Sequence, residues 1–60
     1  MFVELDTRRG ARHTVSLEWN RDSGETQIVV ADNGTSSVLV FSVPRENAGE
    51  AFRHPFRYAP

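Results

Sequence analysis

The dipeptide Asn33-Gly34 stands between two stretches rich in β-branched residues, TQIVVA and SSVLVFSV. Asn and Gly both accept the positive φ of a type I′ turn, so this pair predicts a β-hairpin with a two-residue loop. Such a loop pairs Asp32 with Thr35 and sets Ile28 opposite Leu39, Gln27 opposite Val40 and Thr26 opposite Phe41. Directly opposed residues share a face of the sheet. One face then carries Ile28, Val30, Leu39, Phe41 and Val43, and the reverse face carries Val29, Ala31, Val38 and Val40.

Upstream, HTVSLEWN alternates with period two, placing Val15, Leu17 and Trp19 on one side, as in a half-buried strand. A turn centred on Asp22-Ser23 would put Leu17 opposite Ile28 and Val15 opposite Val30, adding this apolar row to the front of the hairpin. The opening MFVELDT has an imperfect alternation compatible with a fourth strand, with RRGAR as its link to the next. After the hairpin, VPRENAGEAFRH has the spacing of a helix, with Pro44 suited to the first helical position and Ala48, Ala51 and Phe52 on one stripe. It must end before Pro55, because a residue preceding proline is biased away from helical geometry. The expected fold is a single small α+β domain over residues 1–60. It is an antiparallel three- or four-stranded meander with one C-terminal helix packed on one face (βββα or ββββα).

A domain of 60 residues without cysteine has neither disulfides nor zinc-thiolate sites to support it, and at this size only about 60% of the unfolded surface is hidden on folding. One short helix shelters one face. The strip Val29, Val38 and Val40 on the other face, and the apolar last strand, therefore call for further cover. Two remedies are available: the N-terminal segment pairs with the strand after the Asn33-Gly34 turn while the ending AFRHPFRYAP covers the reverse face, its Phe56 and Tyr58 alternating across what reads as an extended, proline-flanked segment, or a second copy of the chain supplies the cover. Val38, Val40, Phe56 and Tyr58 are accordingly the candidate partner-binding residues, with a homodimer or a small protein as the expected partner.

The net charge of -1 promises neither nucleic-acid nor membrane binding. Its distribution is uneven, with basic ends and an acidic middle. Arg8, Arg9, Arg12, Arg53 and Arg57 form two basic arms that could reach a phosphate backbone. A small sheet-type nucleic-acid-binding domain is therefore the alternative reading, opposed by the acidic segment between the arms.

Glycine-rich phosphate loops and the GxSxG pattern are absent, and His13 and His54 lack the further ligands a metal requires. The expectation is a non-catalytic interaction or regulatory module that uses no cofactor. The opening lacks a signal-peptide layout and no apolar run approaches the ~20 residues of a membrane span, which makes cytoplasm the expected location.

Residues 29–59 resemble a group of short actinobacterial proteins with a D-x-x-T-G hairpin, a V-x-x-x-x-A helix start and an H-P-F/Y-x-Y-A ending. The matching residues are Asp32 and Thr35, Val43 and Ala48, and His54, Pro55, Phe56, Tyr58 and Ala59; Ser36 stands where the pattern has glycine. The resemblance implies a source and brings no activity with it. In topology alone, the order of strands followed by a helix also resembles antitoxin-type domains of the HicB class.

Overall fold

The computed structural model describes all of residues 1–60. Four strands, β1 (Phe2–Arg9), β2 (His13–Asn20), β3 (Thr26–Asp32) and β4 (Val38–Val43), form one antiparallel sheet in the order β1-β2-β3-β4. A single 3-10 turn (Arg45–Asn47), helix α1 (Ala48–Arg53) and helix α2 (Pro55–Tyr58) follow. The architecture is thus ββββα with the helical segment in pieces. No helix is long and apolar enough to cross a membrane.

The β2–β3 register is the expected one, with Leu17 opposite Ile28 and Val15 opposite Val30. The β3–β4 register is not. Ile28 faces Phe41 and Val30 faces Leu39, two residues away from the pairing a two-residue loop would impose. The reason lies in Asn33, which the β1–β2 connection holds in place. Its N–H donates to the Arg12 carbonyl at 2.8 Å, its Nδ2 donates to the Gly10 carbonyl at 3.0 Å, and its Oδ1 accepts from Thr14 Oγ1 at 2.9 Å. Neither Asn33 nor Gly34 takes a positive φ; Ser36 does, at 68°, and closes a four-residue loop. Because the shift is an even number of residues, every side chain keeps its expected face.

The imperfect alternation of the opening has an equally local cause. The β1–β2 register slips between Glu4 and Asp6, so that Leu5 sits at a bulge. Arg8 and Arg9 belong to β1 rather than to the link, which is reduced to Gly10–Arg12.

Pro44 lies outside the helix with extended backbone (φ -61°, ψ 146°), and a single helix over 44–54 is replaced by the 3-10 turn and α1. His54 breaks the chain (φ -134°, ψ 65°) ahead of Pro55, as expected for a pre-proline residue. The tail is not extended: Pro55–Tyr58 is one helical turn.

The core lies between α1 and the front of the sheet. Val15, Ile28, Val30, Phe41 and Val43 meet Ala48 and Ala51, with Leu17, Phe52, Tyr58 and Ala59 around them. Ile28 and Ala51 are 0% exposed. Alanine at both inward helical positions lets the helix backbone come close to the sheet, which suits a chain with few large residues to fill a wider gap. The one buried polar residue, Thr26, is satisfied by donating from Oγ1 to the Val43 carbonyl at 2.6 Å.

The turn geometry sets an expected order of stabilities in urea unfolding. Gly24 occupies the left-handed region at φ 79°, so Gly24→Ala costs about 1–2 kcal/mol. Ser36→Gly removes a strained residue at φ 68° and stabilises by about 1 kcal/mol. Gly34→Ala changes stability by less than about 0.5 kcal/mol, whereas a type I′ loop would make it as damaging as Gly24→Ala.

Candidate functional site

The two edges of the sheet differ in kind. The β1 edge carries Glu4, Asp6, Arg8 and Arg9 and a bulge, the devices that keep a strand edge from pairing with another chain. The β4 edge is VLVFSV, without a charge, a proline or a bulge. The Asp32 N–H donates to the Ser37 carbonyl at 2.8 Å, and bonded and non-bonded pairs alternate along an antiparallel ladder. Leu39, Phe41 and Val43 therefore direct their backbone groups to β3, and Val38, Val40 and Ser42 direct theirs to the open edge.

Val38 and Val40 are 60% and 50% exposed and stand beside half-buried Val29 on the reverse face. Between that strip, with Ala31 beside it, and Phe2 opposite Asn20 the face is polar and paired: Gln27 Nε2 donates to Glu18 Oε1 at 2.7 Å, and the Thr7 and Ser16 hydroxyls lie 3.3 Å apart. The continuous valine strip thus lies on the β4 side.

Phe56 and Tyr58 lie with the helical segment, on the front side of the sheet. Phe56 meets Val38 only at the rim of one groove, Tyr58 turns to the core, and the tail leaves Val38 and Val40 exposed on the reverse face. Tyr58 is half-buried against the core. Phe56 is 60% exposed, with its ring centroid 5.1 Å from that of His13 in an edge-to-face arrangement. Together with Leu39, Val30 and Val38 these two rings line a groove of about 200 Å³ beside β4. The β4 edge therefore offers apolar surface on both faces, with Val38 and Val40 behind and Leu39 and Phe56 in front.

The five arginines of the basic arms do not form one surface. Arg8 reaches over the end of α1, donating from Nη2 to the carbonyls of Phe52 at 2.8 Å and Arg53 at 3.2 Å, with its guanidinium 5.7 Å from the Phe52 ring centroid. Those carbonyls end a helix and have no partner within it, so Arg8 joins β1 to α1. That role was not visible in the sequence, because it depends on where two distant segments meet. Arg57 pairs with Glu50 at 2.8 Å. Arg9 sits opposite Thr14 on the reverse side, away from Arg8.

Three ionisable groups are shifted. Hydrogen bonding to Tyr58, and then to Arg57, holds Glu50 below the usual carboxylate range, and the same contact with Glu50 raises the Tyr58 hydroxyl. The Gly34 N–H, assisted by the Thr35 N–H, His13 and Arg12, lowers Asp32.

Comparison of the chain with protein-family models, with curated proteins and with solved structures returns no match.

The shifts prescribe a pH profile. Asp32 and Glu50 are lowered by folding, so their contribution is present above the unfolded carboxylate range and is lost as pH falls below that range through their folded values. Tyr58 is raised, so its contribution is present below the ordinary phenol value of about 10 and is lost as pH rises through the folded one. Thermal melts across pH 2–11 are expected to show both declines. Tyr58→Phe should remove the alkaline one and flatten the acid one, because the hydroxyl that lowers Glu50 is gone while Arg57 at 2.8 Å remains.

Proposed function

We propose that this chain is a non-catalytic interaction module that acts in the cytoplasm and self-associates through the open edge of β4. The observation that carries the reading is the contrast between the edges, one charged and bulged, the other six residues long, uncharged and apolar on both sides. A second copy fits this edge because antiparallel pairing about a two-fold axis brings like strands together. With Val40 opposite its own counterpart, the outward backbone groups of Val38, Val40 and Ser42 all find partners. The same pairing extends the reverse-face valine strip across the axis and brings the two Leu39 and Phe56 surfaces alongside it.

The area available bounds the affinity. A standard interface takes about 800 Å² from each partner, which is roughly a fifth of the 4115 Å² this chain exposes. One strand edge supplies less, so association is expected at about 10 µM to 1 mM. Docking to nucleic acid through the basic arms has less support, since Arg57 is paired with Glu50 and Arg9 lies on the reverse side, away from Arg8.

Sedimentation velocity over that concentration range is the test. The parent chain is expected to shift from monomer to dimer. Val40→Lys, which sets two ammonium groups against each other across the axis, should stay monomeric with its melting temperature at low concentration nearly unchanged. Leu5→Lys, on the opposite edge, should dimerise like the parent. A parent chain that remains monomeric at 1 mM overturns the proposal.

A further inference from the structure

Arg8, Arg12, Arg53 and His13 come from β1, the β1–β2 link, α1 and the start of β2, and together they line one cleft of about 400 Å³. Its other walls are Gly10, Ala11, Val15, Pro55 and Phe56; no carboxylate lines it. None of the three arginines takes part in an ion pair. The chain as a whole has a net charge of -1, so a concentration of cationic groups here runs against its average. Asp32 lies 3.9 Å from His13 Nε2, outside the cleft, and is held by the Gly34 N–H.

The cleft is prepared for an anion in two respects. Arg8 is fixed by its bonds to the Phe52 and Arg53 carbonyls, and these use Nη2 alone, which leaves the other donors of the guanidinium fork for a ligand. Phe56 stands at the rim, 60% exposed and braced by the His13 ring, where a flat apolar group can lie against it.

We infer that this cleft binds a phosphate group carried on a planar ring, a ligand of mononucleotide size. The phosphate meets Arg8, Arg12 and Arg53, and the ring stacks on Phe56. Bases stack on aromatic side chains with little regard to their identity, so the site distinguishes nucleotides from bare phosphate more than one base from another. The volume suits a small ligand. The arginines that would be needed to follow a longer strand point elsewhere: Arg9 to the reverse side and Arg57 to Glu50. The arginines that meet the phosphate lie away from the β4 edge, so the inference does not depend on self-association; Phe56 and His13 are the residues the two surfaces share.

The test is an amide-shift titration of the isotopically labelled full chain with adenosine monophosphate, inorganic phosphate, adenosine and a twelve-residue oligothymidylate. The nucleotide is expected to move the resonances of residues 8–13 and 53–56 with a Kd of about 0.1–1 mM, at least fivefold tighter than phosphate or adenosine. Arg53→Gln and Arg12→Gln, both on exposed side chains, should each weaken the nucleotide severalfold, and Phe56→Ala should bring it to the level of inorganic phosphate. Nucleotide shifts that are absent, that adenosine reproduces in full, or that survive both arginine substitutions overturn the inference. So does oligothymidylate binding more than a hundredfold tighter than the mononucleotide with a steep loss in salt, which would assign the arginines to a nucleic-acid strand.

Discussion

The packing of α1 on the front of the sheet is the contact on which the rest of this structure depends. Ala48 and Ala51 press against the row formed by Val15, Ile28, Val30, Phe41 and Val43, and this is the one place where the chain encloses apolar surface on all sides. A helix of six residues contributes little by itself. It persists because its stripe is buried, because Arg8 takes up its terminal carbonyls, and because α2 folds back through Tyr58 and Ala59 onto the same core.

That arrangement uses all the cover the chain has. Everything after β4 lies on one side of the sheet, so the reverse face must manage with its own side chains. Across β1, β2 and β3 it does so through polar pairs such as Gln27 with Glu18 and Thr7 with Ser16. On β4 it does not, and Val38 and Val40 remain open beside a row of unpaired backbone groups. The asymmetry of the molecule follows: one edge is closed by charge and a bulge, and the other is available. The basic cleft arises from the same compression. Bringing the β1–β2 link up against α1 and α2 gathers arginines that are more than forty residues apart in the chain, Arg8 and Arg53 among them.

Much of the architecture was legible in the sequence, because period-two alternation assigns faces without reference to distant contacts. The strands, the front row of the core, the β2–β3 register and the stop before Pro55 all follow from local pattern. The β3–β4 register does not, although Asn33-Gly34 is a strong signal, because tertiary hydrogen bonds to Gly10, Arg12 and Thr14 compete for Asn33. Face assignment survived the error because an even shift preserves parity. The reading of the tail failed for a related reason. Alternation of Phe56 and Tyr58 is also the spacing of half a helical turn, and only the space above the core selects between the two.

What the sequence determined alone is the supply of apolar surface: two faces of β-branched residues, a single short amphipathic helix, and no crosslink. Those quantities are properties of composition and spacing, and they establish that one face of the sheet is left with less cover than the other. That the tail folds onto the face already covered, how β4 is registered on β3, and which arginines stand free were decided only by tertiary structure. Each depends on where segments remote in the chain come to rest, and a local pattern carries no information about that.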